Sequence, residues 1–213
     1  MPETILRDYL SLRIGAGEFL KQILNNDELL NAIQSKLPDS KCAFDEVWEN
    51  YPISAEAFEY SDFDLRRLLS RGYYSIASVS TCDEAYDLIY DLFHDDFPEI
   101  PRSKYYHEIT MFAIDTVPEV VDSPEAGELL MKIIESAWKL EKGRKTAVRT
   151  AIRSAFHLDE TKKRPRWAQS SLWPIGKDEI PMRFLFQKTD GDKVTYHFED
   201  ATTLEKKDIV DYY

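Results

Sequence analysis

Glycine is scarce in this chain. There are seven in 213 residues, and they never assemble into G-x-G-x-x-G or a P-loop. Without clustered glycines the backbone cannot approach a phosphate closely, which excludes the common nucleotide-cradling loops. Cysteine is scarcer still: Cys42 and Cys82 alone are too few for a disulfide scaffold or a thiolate zinc site. The four histidines, His94, His107, His157 and His197, fall on separate predicted elements with no H-E-x-x-H spacing, and no G-x-S-x-G nucleophile elbow occurs. These gaps remove the motif-borne metal and nucleophile chemistries. No apolar run approaches the roughly 20 residues of a membrane span. Residues 1–20 are interrupted by Glu3, Arg7, Asp8, Arg13 and Glu18, unlike the apolar centre of a signal peptide. The expectation is a cytoplasmic, non-enzymatic protein with no cofactor, no bound metal and no membrane partner.

What the chain does have is apolar mass and acid. Hydrophobic residues make up 43% and aromatic residues 13%, enough for a self-sufficient core, since folding at this size removes about 70% of the chain surface from water. The formal charge is −12, and it is uneven. Residues 1–130 hold ten basic and 26 acidic side chains, a net of −16; residues 131–213 hold 17 and 13, a net of +4. Such an acidic block repels nucleic acid and speeds encounter with basic partners.

Periodicity places helices along the acidic part. Pro2 to Leu24 reads as one helix with a soft point at Gly15 and Gly17, or as two short ones. Asn26 caps the next, with Asp27 and Glu28 in its first turn. Short helices are expected at 44–51, from Ser54, and over 62–69. Thr81-x-x-Glu84 has capping-box spacing and opens a helix that runs to Phe93 or Phe97. Ser103–Thr116 is closed by Pro118, Ser123-Pro124-Glu125 starts another helix, and Gly143 separates it from one at 144–157. After His157 the pattern changes. Met182–Lys188, Val194–Glu199 and Asp208–Tyr213 read as strands, the first two joined by Thr-Asp-Gly-Asp. The predicted fold class is therefore α+β: a mostly helical part over 1–158, then a linker and a small antiparallel three-stranded sheet over 159–213. So small a sheet has to pack on the helices to be stable, and one compact unit is expected.

The sharpest local pattern is Asp83, Asp87, Asp91 and Asp95, spaced four apart, with Glu84 beside them. On a helix these carboxylates form one ridge. Ala85, Leu88, Ile89 and Leu92 form the predicted buried face. Tyr86 and Tyr90 fall on a neighbouring stripe with Phe93 or Phe97, where aromatic anchors ringed by acid would suit a surface that grips a basic protein. Aspartates four apart on one straight helix do not converge on an ion, so no metal site is expected here. The candidate binding residues are Asp83, Glu84, Tyr86, Asp87, Tyr90, Asp91 and Asp95. A basic stretch, from Lys139 through Arg149 and Arg153 to Arg166, has one basic helix face. That face could dock on the acidic block of the same chain, and the overall charge argues against nucleic acid as its partner.

The C-terminal third carries a longer pattern. It reads Pro165-Arg-Trp167-Ala-Gln169, Trp173-Pro174-Ile-Gly176, Pro181-Met182-Arg-Phe184, Gln187, Gly191, Tyr196-His-Phe198-Glu-Asp200 and Tyr212-Tyr213. This resembles the tail of bacterial immunity proteins of polymorphic toxin and contact-dependent inhibition systems. The resemblance implies a non-enzymatic protein that binds and neutralises a cognate toxin domain, and it brings no catalytic residues. The same residues also have a structural reading: Trp167 and Trp173 as anchors clamping the sheet to the helices, Pro174 and Pro181 keeping a loop out of the sheet, and Gln187 satisfying backbone at a strand end. Alternative readings are an acidic regulatory or scaffold protein, and a metal-dependent enzyme built on carboxylates from different helices. Oligomeric state is not readable from the sequence.

Overall fold

The computed structural model describes residues 2–36, 79–121, 123–161, 163–169 and 171–213. Among these are seven α-helices: α1 (Pro2–Leu10), α2 (Ala16–Asn25), α3 (Asp27–Gln34), α4 (Val79–Phe93), α5 (Lys104–Thr116), α6 (Pro124–Trp138) and α7 (Arg144–Ala155). One antiparallel sheet follows, in the order β1 (Arg183–Asp190), β2 (Lys193–Glu199), β3 (Lys206–Tyr212). The α+β class is as the patterning indicates. Helices expected at 44–51, from Ser54 and over 62–69 lie outside the described residues. Of the described residues, 2–36 and Tyr86–Arg102 form one compact unit, and 79–85 with Ser103–Tyr213 form a second.

The first unit has an aromatic core. Pro2 to Leu24 is two helices, and the break falls at Leu12, whose φ is +57°, with Gly15 serving as the N-cap of α2. Tyr9 and Phe19 stack at 3.8 Å across the break. Tyr86 packs edge-on to Tyr9 at 5.7 Å and its hydroxyl donates to the Leu10 carbonyl at 3.4 Å. Asn26 caps α3 as its position indicates, its side chain accepting from the Leu29 N–H at 3.1 Å.

In the second unit Tyr106, Ile109 and Ala113 of α5, Leu130 and Ile134 of α6, and Val148 and Ile152 of α7 are all buried. The Tyr106 hydroxyl donates to the Cys82 carbonyl at 2.8 Å. Thr81 lies inside α4, which begins at Val79, and not at the position before its first residue. Val117 ends α5 before Pro118, and Gly143 takes the left-handed conformation as it opens α7. The sheet presents Val194, Tyr196 and Phe198 inward. A bulge between Phe184 and Phe186 shifts the pairing by one, so Phe184 faces Phe198 while Phe186 faces His197. Regular alternation would put both phenylalanines on one face; the bulge buries the first and exposes the second.

Candidate binding surface

Helix α4 carries the carboxylate ridge. Among its described side chains the buried ones are Val79, Cys82, Tyr86, Ile89 and Phe93, steps of three and four that define one helix face. The core stripe is thus rotated from the expected one, and it takes Tyr86 with it. Tyr86 is 1% exposed, so it cannot anchor a partner; its ring and hydroxyl are committed to the core of the first unit. The side chains of Asp83 and Glu84 lie outside the described residues.

The remaining aspartates are progressively uncovered. Side-chain exposure is 43% at Asp87, 66% at Asp91 and 89% at Asp95. Asp95 sits just past the end of α4. The turn after Phe93 returns the chain through Pro98 and Pro101 and delivers Arg102 to the ridge. Arg102 Nη2 lies 2.6 Å from Asp87 Oδ1 and Nη1 lies 3.4 Å from Asp91 Oδ1. The guanidinium also rests over the Tyr90 ring, 5.4 Å from its centroid. Tyr90 is half-buried and its hydroxyl donates to the Ile100 carbonyl at 3.3 Å, so it supports the arginine from below. Asp87, then Asp91, raises the already high pKa of Arg102. Each such pair is half-exposed and worth at most about 1 kcal/mol. Its main effect is to fix side-chain orientation.

Sequence reasoning missed Arg102. One signal was available: it is the first lysine or arginine after Arg71, set after a proline turn that folds back on an acidic helix. The same economy recurs across the first unit. Arg7 pairs with Glu99 and lies over the Phe97 ring, Lys36 pairs with Asp96 and lies over Phe93, and Arg13 reaches Asp8 at 3.1 Å. The backbone N–H of Glu99, then Arg7, holds the Glu99 carboxyl below its ordinary range. Among the described residues of this unit ten carboxylates face five cations. Among the described residues no group of three or more His, Cys, Asp and Glu side chains is placed to hold a metal ion, and no helix is long and apolar enough to cross a membrane.

The basic stretch meets partners within the second unit. Lys145 lies 2.6 Å from Glu108, Arg153 pairs with Asp159, and Arg164 donates to the Thr116 carbonyl at 2.8 Å and lies 3.5 Å from Glu119.

The C-terminal motif resolves into structural contacts, also within the second unit. The Trp173 indole N–H donates to the Met182 carbonyl at 2.9 Å, and its ring stands edge-on to Phe156 and Phe198. Trp167 packs on Tyr196 at 4.4 Å and donates to the Glu119 carbonyl. The Tyr196 hydroxyl donates to the Arg166 carbonyl and accepts from the Ala168 N–H. Gln187 accepts from the Arg166 N–H, and the Gln169 amide donates to the Tyr212 carbonyl. That last bond covers one end of the edge strand β3, whose other end carries Lys206 and Lys207, two devices that discourage further strand pairing. Gly176 packs against Asp200, a buried carboxylate that accepts three backbone N–H bonds. The motif therefore explains how the sheet is fastened. Comparison of the chain with family models, with curated proteins and with solved structures finds no match.

Proposed function

We propose that this protein is a non-enzymatic inhibitor of the immunity type, acting in the cytoplasm by binding a basic toxin domain. The observation that carries the reading is the rising exposure from Asp87 and Asp91 on α4 to Asp95 in the turn that follows it. Arg102 holds the first two in place, so at Asp91 an incoming cation meets a carboxylate whose rotamer freedom is already reduced, while Asp95 lies 3.2 Å from His94 Nε2. Asp91 and Asp95 are the residues that contact the partner, Asp87 and Tyr90 position Arg102 against Asp91, and Tyr86 has no part. If the toxin is a nuclease, these carboxylates stand where it would otherwise meet phosphate, and the mechanism is occlusion of its substrate groove. The net charge of −12 accelerates the encounter, and the C-terminal resemblance points to the same class of protein.

The test begins with a pull-down from the source bacterium at low salt, which should recover one basic protein with a toxin-like C-terminal domain. Co-expression with that domain should restore growth. Asp91→Lys with Asp95→Lys should weaken the complex at least 100-fold in a calorimetric titration and flatten its salt dependence, because opposite charges become like charges across the interface. An unchanged affinity would remove the ridge from the mechanism, and failure to restore growth would remove the immunity reading.

A further inference from the structure

We infer that the face formed by α5 and α7 in the second unit is a separate docking surface, fitted to an acidic polypeptide segment. The inference is independent of the Asp91–Asp95 reading and rests on other residues. Two aromatic rings of α5 serve as platforms for cations. Arg144 lies over Tyr105, 4.1 Å from the ring centroid, and Lys104 lies 5.0 Å from it. Two helical turns on, Arg149 and Lys145 lie over Phe112 at 5.0 and 5.7 Å. Two turns of helix span about 10 Å, so four cations line a short strip. Arg149 and Lys104 are exposed, and Lys145 is half-exposed. Stacking on a ring orients a guanidinium without neutralising it. Arg144 also donates through Nη1 to the Glu141 carbonyl at 3.3 Å, so the exposed Arg149 is the guanidinium whose outer edge meets a bidentate acceptor.

A single carboxylate, Glu108, sits on the strip between the two rings, 2.6 Å from Lys145. Lys145 first, then Lys104 and Arg144, holds that carboxyl below its ordinary range. The strip therefore already receives one carboxylate and retains an excess of positive charge. The placement also runs against helix electrostatics. Helix α7 has Arg144 and Lys145 in its first turn and no acid there, although cations are unfavourable at that end.

The geometry favours a polypeptide over nucleic acid. The cations occupy the rings on which bases would stack. A strip of about 10 Å also meets only about three phosphates per strand, so counterion release contributes little there. An acidic helix with glutamates four apart presents a carboxylate about every 6 Å along its axis, which brings two onto the strip.

The test is fluorescence anisotropy of a dye-labelled helical peptide with glutamates at i, i+4 and i+8, titrated with the full chain at about 20 mM salt, where screening is weak. Arg144→Glu with Arg149→Glu should weaken binding at least tenfold. Lys188→Glu with Lys193→Glu, an equal charge change on the sheet, should change it less than twofold. Circular dichroism confirms that both variants are folded. Absence of binding by the wild-type chain, equal losses in the two variants, or tighter binding of a labelled eight-nucleotide thymidine strand would each overturn the assignment.

Discussion

Trp173→Ala should destabilise the second unit by about 3–5 kcal/mol, the range for truncating a buried tryptophan. Three contributions point the same way. The side chain is 2% exposed, so truncation opens a cavity between the end of α7, at Phe156, and the inner face of the sheet, at Phe198. Both edge-on aromatic contacts are lost, each worth about 0.5–1.5 kcal/mol beyond area burial. The Met182 carbonyl also loses the indole N–H and is left unpaired where it enters β1. Trp173→Phe keeps most of the apolar volume and deletes the hydrogen bond, so its cost should be smaller, about 1–3 kcal/mol. Urea unfolding followed by far-UV circular dichroism would measure both. A cost no larger than that of an ordinary surface substitution for the alanine variant, about 0.5 kcal/mol or less, would mean that the sheet is held by other contacts, Trp167 first among them.

Trp173 also marks how far the sequence could be read. Its role as an anchor was legible because a tryptophan between a linker and three alternating strands has few other uses. The strands and their turn were legible for the same local reason: Val194, Tyr196 and Phe198 alternate with polar residues, and Gly191 at φ +63° is the residue that a Thr-Asp-Gly-Asp turn requires. Asn26, Pro118 and Gly143 act as the stops and starts their chemistry indicates. The errors are also local signals, overridden by distant ones. Thr81 has the spacing of a cap, yet it sits within α4. Tyr86 reads as a surface aromatic because Ala85, Leu88, Ile89 and Leu92 already supply an apolar face. The space beside Tyr9 and Phe19, from a distant part of the chain, instead takes the larger ring. Phe184 and Phe186 share a face under strict alternation and are parted by a bulge that no local pattern announces. In the binding surface, the carboxylate spacing was visible but Arg102 was not, since an ion pair closed through a turn leaves no periodicity. The docking of the basic stretch was open, and its partners Glu108, Asp159 and Glu119 lie in its own unit.

Gly176→Ala adds a single methyl and should still be clearly destabilising, and its cost should largely vanish when Asp200 is truncated with it. Gly176 has φ −90° and ψ −161°, a conformation open to any residue, so the demand for glycine here is one of space. A Cβ at this position would lie 2.9 Å from Asp200 Cγ, closer still to Oδ2, and 3.3 Å from Met182 Cγ. The carboxylate cannot step aside cheaply. Its Oδ1 accepts from the N–H groups of Thr202 and Thr203 at 2.7 and 2.8 Å, and Oδ2 accepts from the Lys177 N–H at 2.7 Å. Overpacking of this kind costs about 1–3 kcal/mol. In an Asp200→Ala background the clash with the carboxylate is gone and only the contact with Met182 Cγ has to relax by a few tenths of an ångström. The double mutant should therefore lie within about 0.5 kcal/mol of Asp200→Ala alone, a non-additivity expected only for groups in contact. The same three bonds have a pH signature. The Thr203 N–H, then that of Lys177, holds the Asp200 carboxyl below its ordinary range. Its contribution is complete above the unfolded pKa of about 3.9 and is lost as pH falls through the lower folded value. Urea midpoints measured between about pH 6 and pH 2.5 should therefore fall more steeply for the wild type than for Asp200→Asn in the acid part of that range. Parallel slopes would show that the carboxylate charge adds nothing, and an additive double mutant would show that Gly176 is not held open for Asp200.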